Sequence, residues 1–545
     1  MASTPLPNVA YFCMEYGLSD QLKTYSGGLG ILAGDHLKGA KDNNLPIVGI
    51  GIKWKHGYGR QVLQDDNSQA YVFPDYDYSF LKDTGVEVTV PVAGHDIRAK
   101  VWLCDTFGTV PLYLLDTDLP SNPEPLLTGV LYGGSPDARV AQEMILGIGG
   151  VRALRALGLD IDLYHFNEGH ALLAAFELIR EKMDAGASYD EAVAATKAEV
   201  VFTTHTPVLA GNEVHPIDRL VRLGADRGLG ADRLRALGGD PFGMTVGGLK
   251  LASKANGVAQ LHGVTANQMW SHVEGRPHIH AITNGIHRPT WVDDRMLDAA
   301  EADDLDGLWA SHQDNKRALI NLIESRVGVT LDANKLLIGF ARRAVTYKRA
   351  NLIFSDLERI APMLESARIQ LVFSGKAHPQ DKGGQALVSE LIAMTKRFPQ
   401  SVVYLPNYDM EIGAALTRGV DVWLNNPRRP KEASGTSGMK SAMNGVLNCS
   451  ILDGWWPEAC DHGVNGWQIG DGFESPDPAV QDAHDAKSLY EVVLGEVVPT
   501  YYDERAQWKQ MMHNSIQSTR DVFSIKRMLE HYVEQLYLPA VAETA

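Results

Sequence analysis

At 545 residues the chain is too long to bury a single core, so two large domains are expected. Apolar residues make up 45% and charged residues 21%, the balance of a globular enzyme, and a net charge of −17 argues against nucleic acid and anionic membrane surfaces as partners. No apolar run is long enough for a transmembrane helix, the first seven residues lack the regions of a signal peptide, and Cys13, Cys104, Cys449 and Cys460 form no C-x-x-C pair, so reduced thiols and a cytoplasmic location are expected.

Residues 8–15, Asn-Val-Ala-Tyr-Phe-Cys-Met-Glu, read as a short buried strand ending in an acid, Glu15. Tyr25-Ser-Gly-Gly-Leu-Gly-Ile-Leu-Ala-Gly-Asp-His follows as a glycine-rich turn into a helix, a pattern shared with ordinary strand–helix connections. Further on, Val86-Glu-Val-Thr-Val-Pro-Val and Ile97-Arg-Ala-Lys-Val-Trp-Leu alternate in polarity, as half-exposed strands extending a sheet do. Val140, Met144, Ile148, Val151 and Leu154 recur at helical spacing and predict a core-facing helix over 138–158. Two apolar strands then end in polar clusters. The first, 160–166, runs into Asn167-Glu168-Gly169-His170, and the second, Val200-Val-Phe-Thr-Thr, into His205-Thr-Pro. Open α/β sheets bind ligands at the carboxyl ends of their strands, which makes His170 and His205 candidates, with a satisfied structural histidine as the alternative for each. His272, His278 and His280 lie around Pro277 without ligand spacing and read as a solvated loop, so no metal is expected.

A polar helical stretch over 304–332 leads to the second domain, giving expected domains of 1–325 and 326–523. The strand 336–340 is followed by Ala-Arg-Arg-Ala-Val-Thr-Tyr-Lys-Arg-Ala. Two arginines and a lysine at a strand–helix junction make either a solvated helix end or an anion cradle of Arg342, Arg343 and Lys348. Strands and helices then alternate, as in a parallel, doubly wound sheet. At 431–440 a glycine-punctuated, hydroxyl-rich loop, Lys-Glu-Ala-Ser-Gly-Thr-Ser-Gly-Met-Lys, runs from Glu432 into a helix. Its serines and threonine are expected to cap that helix, whose N-terminus would attract an anion. Lys440, placed in the first turn, would oppose the macrodipole. Its pKa is then expected to fall, which suits an amine that forms an imine. The amphipathic stretch 524–545 is expected to cross back to the first domain.

The segment from Glu432 to Lys440 closely resembles the pyridoxal-phosphate lysine segment of the α-glucan (glycogen, starch, maltodextrin) phosphorylases, and further matches span Tyr11 to Asp453 in the family's order. The resemblance implies an α/β GT-B architecture, two Rossmann-like doubly wound domains facing a cleft. It also implies retaining phosphorolysis of α-1,4-glucan by orthophosphate to glucose 1-phosphate. Pyridoxal 5′-phosphate would be held by Lys440, with Tyr408 beside its ring and Arg342, Thr436, Ser437 and Gly28 around its phosphate. Arg342 stands where the family has lysine, which keeps the charge and changes its shape. Arg343 and Lys348 would hold the substrate phosphate, with Tyr347 beside them. Gly27, Gly28 and Gly30 would face the phosphates, and Glu15 would be an active-site acid. His170 would lie on the glucan side, although Glu168 replaces the family's aspartate. His205 would contact the donor glucose and turn its carbonyl toward the oxocarbenium centre, while Glu432 and the backbone of Ser434 and Gly435 hold sugar hydroxyls. Sugar-nucleotide synthases of the same architecture carry two glutamates eight positions apart. Here the first is Glu432 and the second position is Lys440, which favours the phosphorylase over that alternative. Because the matched acid already stands at Glu15, the N-terminal control segment of animal relatives is expected to be missing and the activity insensitive to AMP. A homodimer stays open.

Overall fold

Runs of aliphatic and aromatic residues such as Val9–Phe12 and Val200–Thr203 are buried along their whole length, as in strands covered on both faces. In the computed structural model, which describes residues 5–123 and 126–542, such strands build two sheets in two separate units.

The first unit takes the chain up to Gly59, Phe73–Thr283, and the chain from Ile525 onward. Its sheet runs in the order Ile279–Ala281, Lys254–Gly257, Val200–Thr203, Leu163–Asn167, Val9–Phe12, Ile47–Ile52, Leu112–Asp116, His95–Cys104, Lys82–Val92. The first seven are parallel, and the last two form the antiparallel extension that their alternating sequence predicts. Chain order reverses beside Val9–Phe12, so Glu15, 167–170 and His205 all follow strands at or next to that reversal. The helix expected over 138–158 is present as Pro136–Met144 and Gly150–Ala156, joined by the π-helical turn Ile145–Gly149. Helix Ile525–Tyr532 and its π-helical continuation pack Met528, Leu529, Tyr532 and Leu536 into one core with Val9, Tyr11 and Leu37.

The second unit contains residues 60–72 and 284–524. Its six strands are all parallel, in the order Val402–Leu405, Ile369–Ser374, Leu336–Ala341, Val422–Asn425, Leu447–Ile451, Gly466–Ile469. The division falls at Thr283–Asn284, ahead of the expected boundary at 325. Helices Asp294–Glu301 and Leu305–Val327 bury Met296, Leu308, Leu319 and Ile323 in the second unit's cores. The hairpin Arg60–Leu63 and Gln69–Val72, far upstream of the rest, belongs here because Gln61 and Asn407 exchange hydrogen bonds of 3.2 and 2.9 Å. Among the described residues, no helix is long and apolar enough to cross a membrane, and all four cysteines are free.

A fully buried ion network ties Leu305–Val327 to the second sheet. Asp421 accepts from Lys316 Nζ at 2.6 Å, His312 Nε2 at 2.9 Å and the Leu337 N–H at 2.8 Å. Removing one partner of a buried pair leaves the other charge unpaired, which costs about 3–5 kcal/mol. Asp421→Ala should lower the urea-unfolding free energy by that amount. A loss below about 1 kcal/mol would show that the network is idle.

Candidate active site

In the second unit, the expected residues and one other follow the carboxyl ends of four parallel strands. Arg342, Arg343, Tyr347 and Lys348 follow Leu336–Ala341, and Tyr408 follows Val402–Leu405. The 426–440 segment follows Val422–Asn425, and Asp453 follows Leu447–Ile451. Two of the cations converge on one acid. Arg342 Nη2 lies 2.7 Å from Glu432 Oε1, and Lys348 Nζ lies 3.2 Å from Glu432 Oε2. Burial alone would raise the pKa of Glu432, but Arg342 and Lys348 outweigh it and hold the carboxyl at about 2. Lys348 is pushed down to about 8 by burial and then by Arg342, against the pull of Glu432. Tyr347, whose ring lies 5.4 Å from Lys348 Nζ, is pushed up to about 12, by burial first and then by Glu432. Arg343 is exposed, with no acid partner among the described residues. The Glu432 carboxylate, expected on sugar hydroxyls, is therefore spent on the cations here, because a buried acid between two half-buried cations is drawn to both.

Asp453 was not singled out by its sequence context. It is fully buried, and its two oxygens accept from the N–H groups of Glu432 at 2.9 Å and Gly454 at 2.8 Å. Burial and then the Glu432 charge push its carboxyl up to about 8. It fixes where the Glu432 backbone sits.

The lysine helix differs from expectation in two ways. It spans Thr436–Met443, and Lys440 lies in its last turn, where the macrodipole favours a cation instead of opposing one. Its cap is Gly435, at φ +88°, with no side-chain cap bond. That left-handed conformation suits glycine, and it carries the chain past Ser434, whose buried Oγ finds no partner among the described residues. Among the described residues no side chain caps the N–H groups of Thr436 and Ser437. Of the Ser434 backbone, expected on sugar hydroxyls, the carbonyl accepts from the Trp455 N–H at 2.9 Å. Lys440 is 3% exposed, with Nζ 3.6 Å from the centroid of the Trp291 ring. Asn444, at the helix end, binds the Trp291 carbonyl at 3.1 Å and so holds that ring in place. Tyr408 rests its hydroxyl against Gly413 of helix Met410–Gly419.

In the first unit, Glu15 organises the glycine loop. Its Oε2 accepts from the N–H groups of Ser26 at 2.6 Å and Gly27 at 3.2 Å, and its Oε1 accepts from the Tyr132 hydroxyl at 2.7 Å. Gly27 thus gives its N–H to Glu15 and not outward. Gly30 is a packing glycine: a Cβ there would lie 2.6 Å from Glu15 Oε2. Around Gly27 and Gly28, by contrast, a Cβ would meet nothing within 4 Å. His170 is buried, its Nε2 accepts from the Met14 N–H at 3.0 Å, and burial lowers its pKa to about 3. That nitrogen is not offered to a ligand. His205 donates from Nε2 to Asn167 Oδ1, and burial lowers its pKa to about 3.

These residues fit the cofactor that the resemblance implies. A buried amine, an uncapped helix N-terminus, an unpartnered buried hydroxyl at Ser434 and two cations on one acid provide an anchor and an anion site in one unit. Among the described residues, Glu143, Glu213 and His215 bring ligand-type atoms within 4.8 Å of one another. Arg139 already supplies the cation there, with two 2.8 Å bonds to Glu213. His278 and His280 meet edge to face, 5.3 Å apart.

The family model described as carbohydrate phosphorylase matches residues 250–462. The chain is 40% identical to a maltodextrin phosphorylase of Thermococcus litoralis, over 98% of this chain and 71% of that one. It is 39% identical to a glycogen phosphorylase of Mycobacterium tuberculosis, over 99% and 72%. An uncharacterized protein of Methanocaldococcus jannaschii is 34% identical over 97% of this chain and 99% of its own length.

Proposed function

The chain belongs to the carbohydrate phosphorylase family, and from that premise we propose that it runs the reversible phosphorolysis of α-1,4-glucan ends, releasing glucose 1-phosphate. The observation that carries this reading is the half-buried cation pair Arg342 and Lys348 on Glu432, in the same unit as the buried amine Lys440. A sugar-nucleotide transferase would place a second glutamate where Lys440 stands, and the comparisons give that alternative no support. The second sheet, whose strands run 3-2-1-4-5-6 in their own chain order, supports reading it as Rossmann-like.

In this reading Lys440 holds pyridoxal phosphate, Tyr408 lies beside its ring, and Arg342 with the N–H groups of Thr436 and Ser437 meets its phosphate. When bound, that group supplies a phosphate monoester with a second pKa near 6, able to exchange a proton with a neighbouring phosphate. Arg343 and Lys348 carry the substrate phosphate. Glu432 keeps Arg342 and Lys348 together until the dianion arrives, then turns to the sugar hydroxyls. A phosphate oxygen forms a bond to C1 as the glycosidic C1–O bond breaks. The electron pair leaves on the glycosidic oxygen of the shortened glucan, which takes the proton the phosphate carried. His205 offers its carbonyl to the positive C1. Glu15 braces the glycine loop, and the open face at Gly28 is the part left for substrate. By likeness to the family, configuration at C1 is retained. The free cysteines fit a reducing, cytoplasmic setting.

The test is direct. Holoenzyme incubated with maltodextrin and orthophosphate should produce glucose 1-phosphate by phosphorus NMR. Glucan extension from a sugar nucleotide, with no glucose 1-phosphate formed, would overturn the reading.

The pH profile follows from Lys348. Its ammonium is held at about 8, so it is charged and binds phosphate below that pH and is neutral above it. The kcat/KM for orthophosphate, which reports the free enzyme, should therefore fall as pH rises through about 8. Asp453 ionises in the same range and adds negative charge beside Glu432. Lys348→Arg should move the alkaline limb upward while Asp453→Asn leaves it in place. An unmoved limb in Lys348→Arg would assign it elsewhere.

A further inference from the structure

Glu168 sits on a backbone that glutamate adopts only under constraint, at φ +82° and ψ 165°. That region is populated almost solely by glycine, and other residues persist there only when their surroundings force it. The surroundings are visible. Glu168 Oε2 accepts from the His205 N–H at 2.9 Å and from the Thr206 hydroxyl at 3.0 Å, and Oε1 accepts from its neighbour Gly169 N–H at 3.1 Å. The Glu168 N–H is itself bound to the Thr203 carbonyl at 2.9 Å.

We propose that Glu168 is a positioning residue that sets the His205 turn, acting through the backbone and not by touching substrate. The proposal rests on the phosphorolysis reading above, in which the His205 carbonyl faces C1. Strands Leu163–Asn167 and Val200–Thr203 are parallel neighbours, and Asn167 pairs with Thr203 at their carboxyl ends. A regular strand would direct the next side chain to one face of the sheet. The left-handed step at 168 redirects it across to the exit of the adjacent strand, where it binds two consecutive residues. Asn167 Oδ1 accepts from His205 Nε2, and Asn167 Nδ2 donates to Cys13 Sγ at 3.4 Å. Two adjacent residues therefore hold both the N–H and the ring of His205. The His205 carbonyl accepts no hydrogen bond among the described residues. A fixed carbonyl with a free lone pair is what a developing positive centre needs from a preorganised dipole. Capping of the turn Gly169–Ala171 would need only the Gly169 contact and would leave the two bonds to 205–206 without purpose.

Glycine at 168 removes both strain and clamp, and the two are read separately, the strain in the thermal midpoint and the clamp in kcat. Glu168→Gly relaxes the backbone, so its thermal midpoint should equal or exceed the wild-type value. Its kcat for phosphorolysis should fall about 100-fold, the usual cost of a misplacement near 1 Å, with KM for orthophosphate unchanged. Glu168→Gln, which retains one acceptor oxygen, should fall between. A readout independent of turnover is the His205 amide proton in histidine-labelled protein, assigned with His205→Gln. It should move upfield in Glu168→Gly as the carboxylate bond is lost. Wild-type kcat in Glu168→Gly, an unmoved amide, or a kcat loss that only tracks a lowered thermal midpoint would each overturn the proposal. A wild-type protein without phosphorolysis would instead sink the functional reading, and the amide shift would still report whether Glu168 holds the turn.

Discussion

Lys440→Ala protein should carry no pyridoxyl group after borohydride reduction and should phosphorolyse glucan at least about 10⁴-fold more slowly than wild type. The amine is buried, over the Trp291 ring, in a helix whose opposite end carries no side-chain cap. Without it the acid–base group has no anchor, so the loss should reach the top of the range of about 10²- to 10⁴-fold that one such group contributes. Lys440→Arg keeps the cation beside Trp291 and should be equally inactive, which separates attachment from charge. In wild-type protein, peptide mapping should place one reduced label on Lys440. A label on another lysine would sink the assignment.

Phosphate use should collapse when either cation assigned to it is removed, and the two variants should differ in stability. Arg343 is exposed, so Arg343→Ala should unfold within about 0.5 kcal/mol of wild type. Its kcat/KM for orthophosphate should nevertheless fall about 10²- to 10³-fold, the cost of deleting one preorganised anion contact. Lys348→Ala should show a similar kinetic loss and be destabilised as well, because Glu432 keeps only Arg342 as its cationic partner. In both, KM for maltodextrin should change far less than KM for phosphate. Unchanged phosphate kinetics in both variants would remove the cradle from the mechanism.

Much of this was legible in local pattern. Strand ends are read from where apolar runs stop, and Glu15, His170, His205, Arg342 and Glu432 all sit at or beyond such ends. The misplacements share a cause, which is that a pattern in sequence does not say which partner wins. Lys440 is expected in the first turn because Ser434 and Thr436 look like caps, yet Gly435 takes the cap with a left-handed backbone and the helix begins at Thr436, early enough to leave Lys440 in its last turn. Glu432 looks like a free acid until Arg342 and Lys348, more than 80 residues upstream, close on it. Nothing local ties 60–72 to the second unit, since Gln61 meets Asn407 across 346 positions. The strained backbone at Glu168 follows from its acceptors on the next strand, and no periodicity announces it.

The first unit's core joins Val9 and Tyr11 to Tyr532 and Leu536. At about 5–20 residues per second, a ribosome reaches the last of these roughly half a minute to two minutes after making the first. Through that interval the core around Tyr11 and Leu37 lacks the share of its native cover that Met528, Leu529, Tyr532 and Leu536 supply. Local hydrophobic collapse can begin early, but the unit cannot reach its native free energy during synthesis. A nascent chain halted before Ile525 should therefore be held by chaperones or cut by proteases, and the cell's yield of this protein should depend more on translation finishing promptly than on the stability of the finished fold.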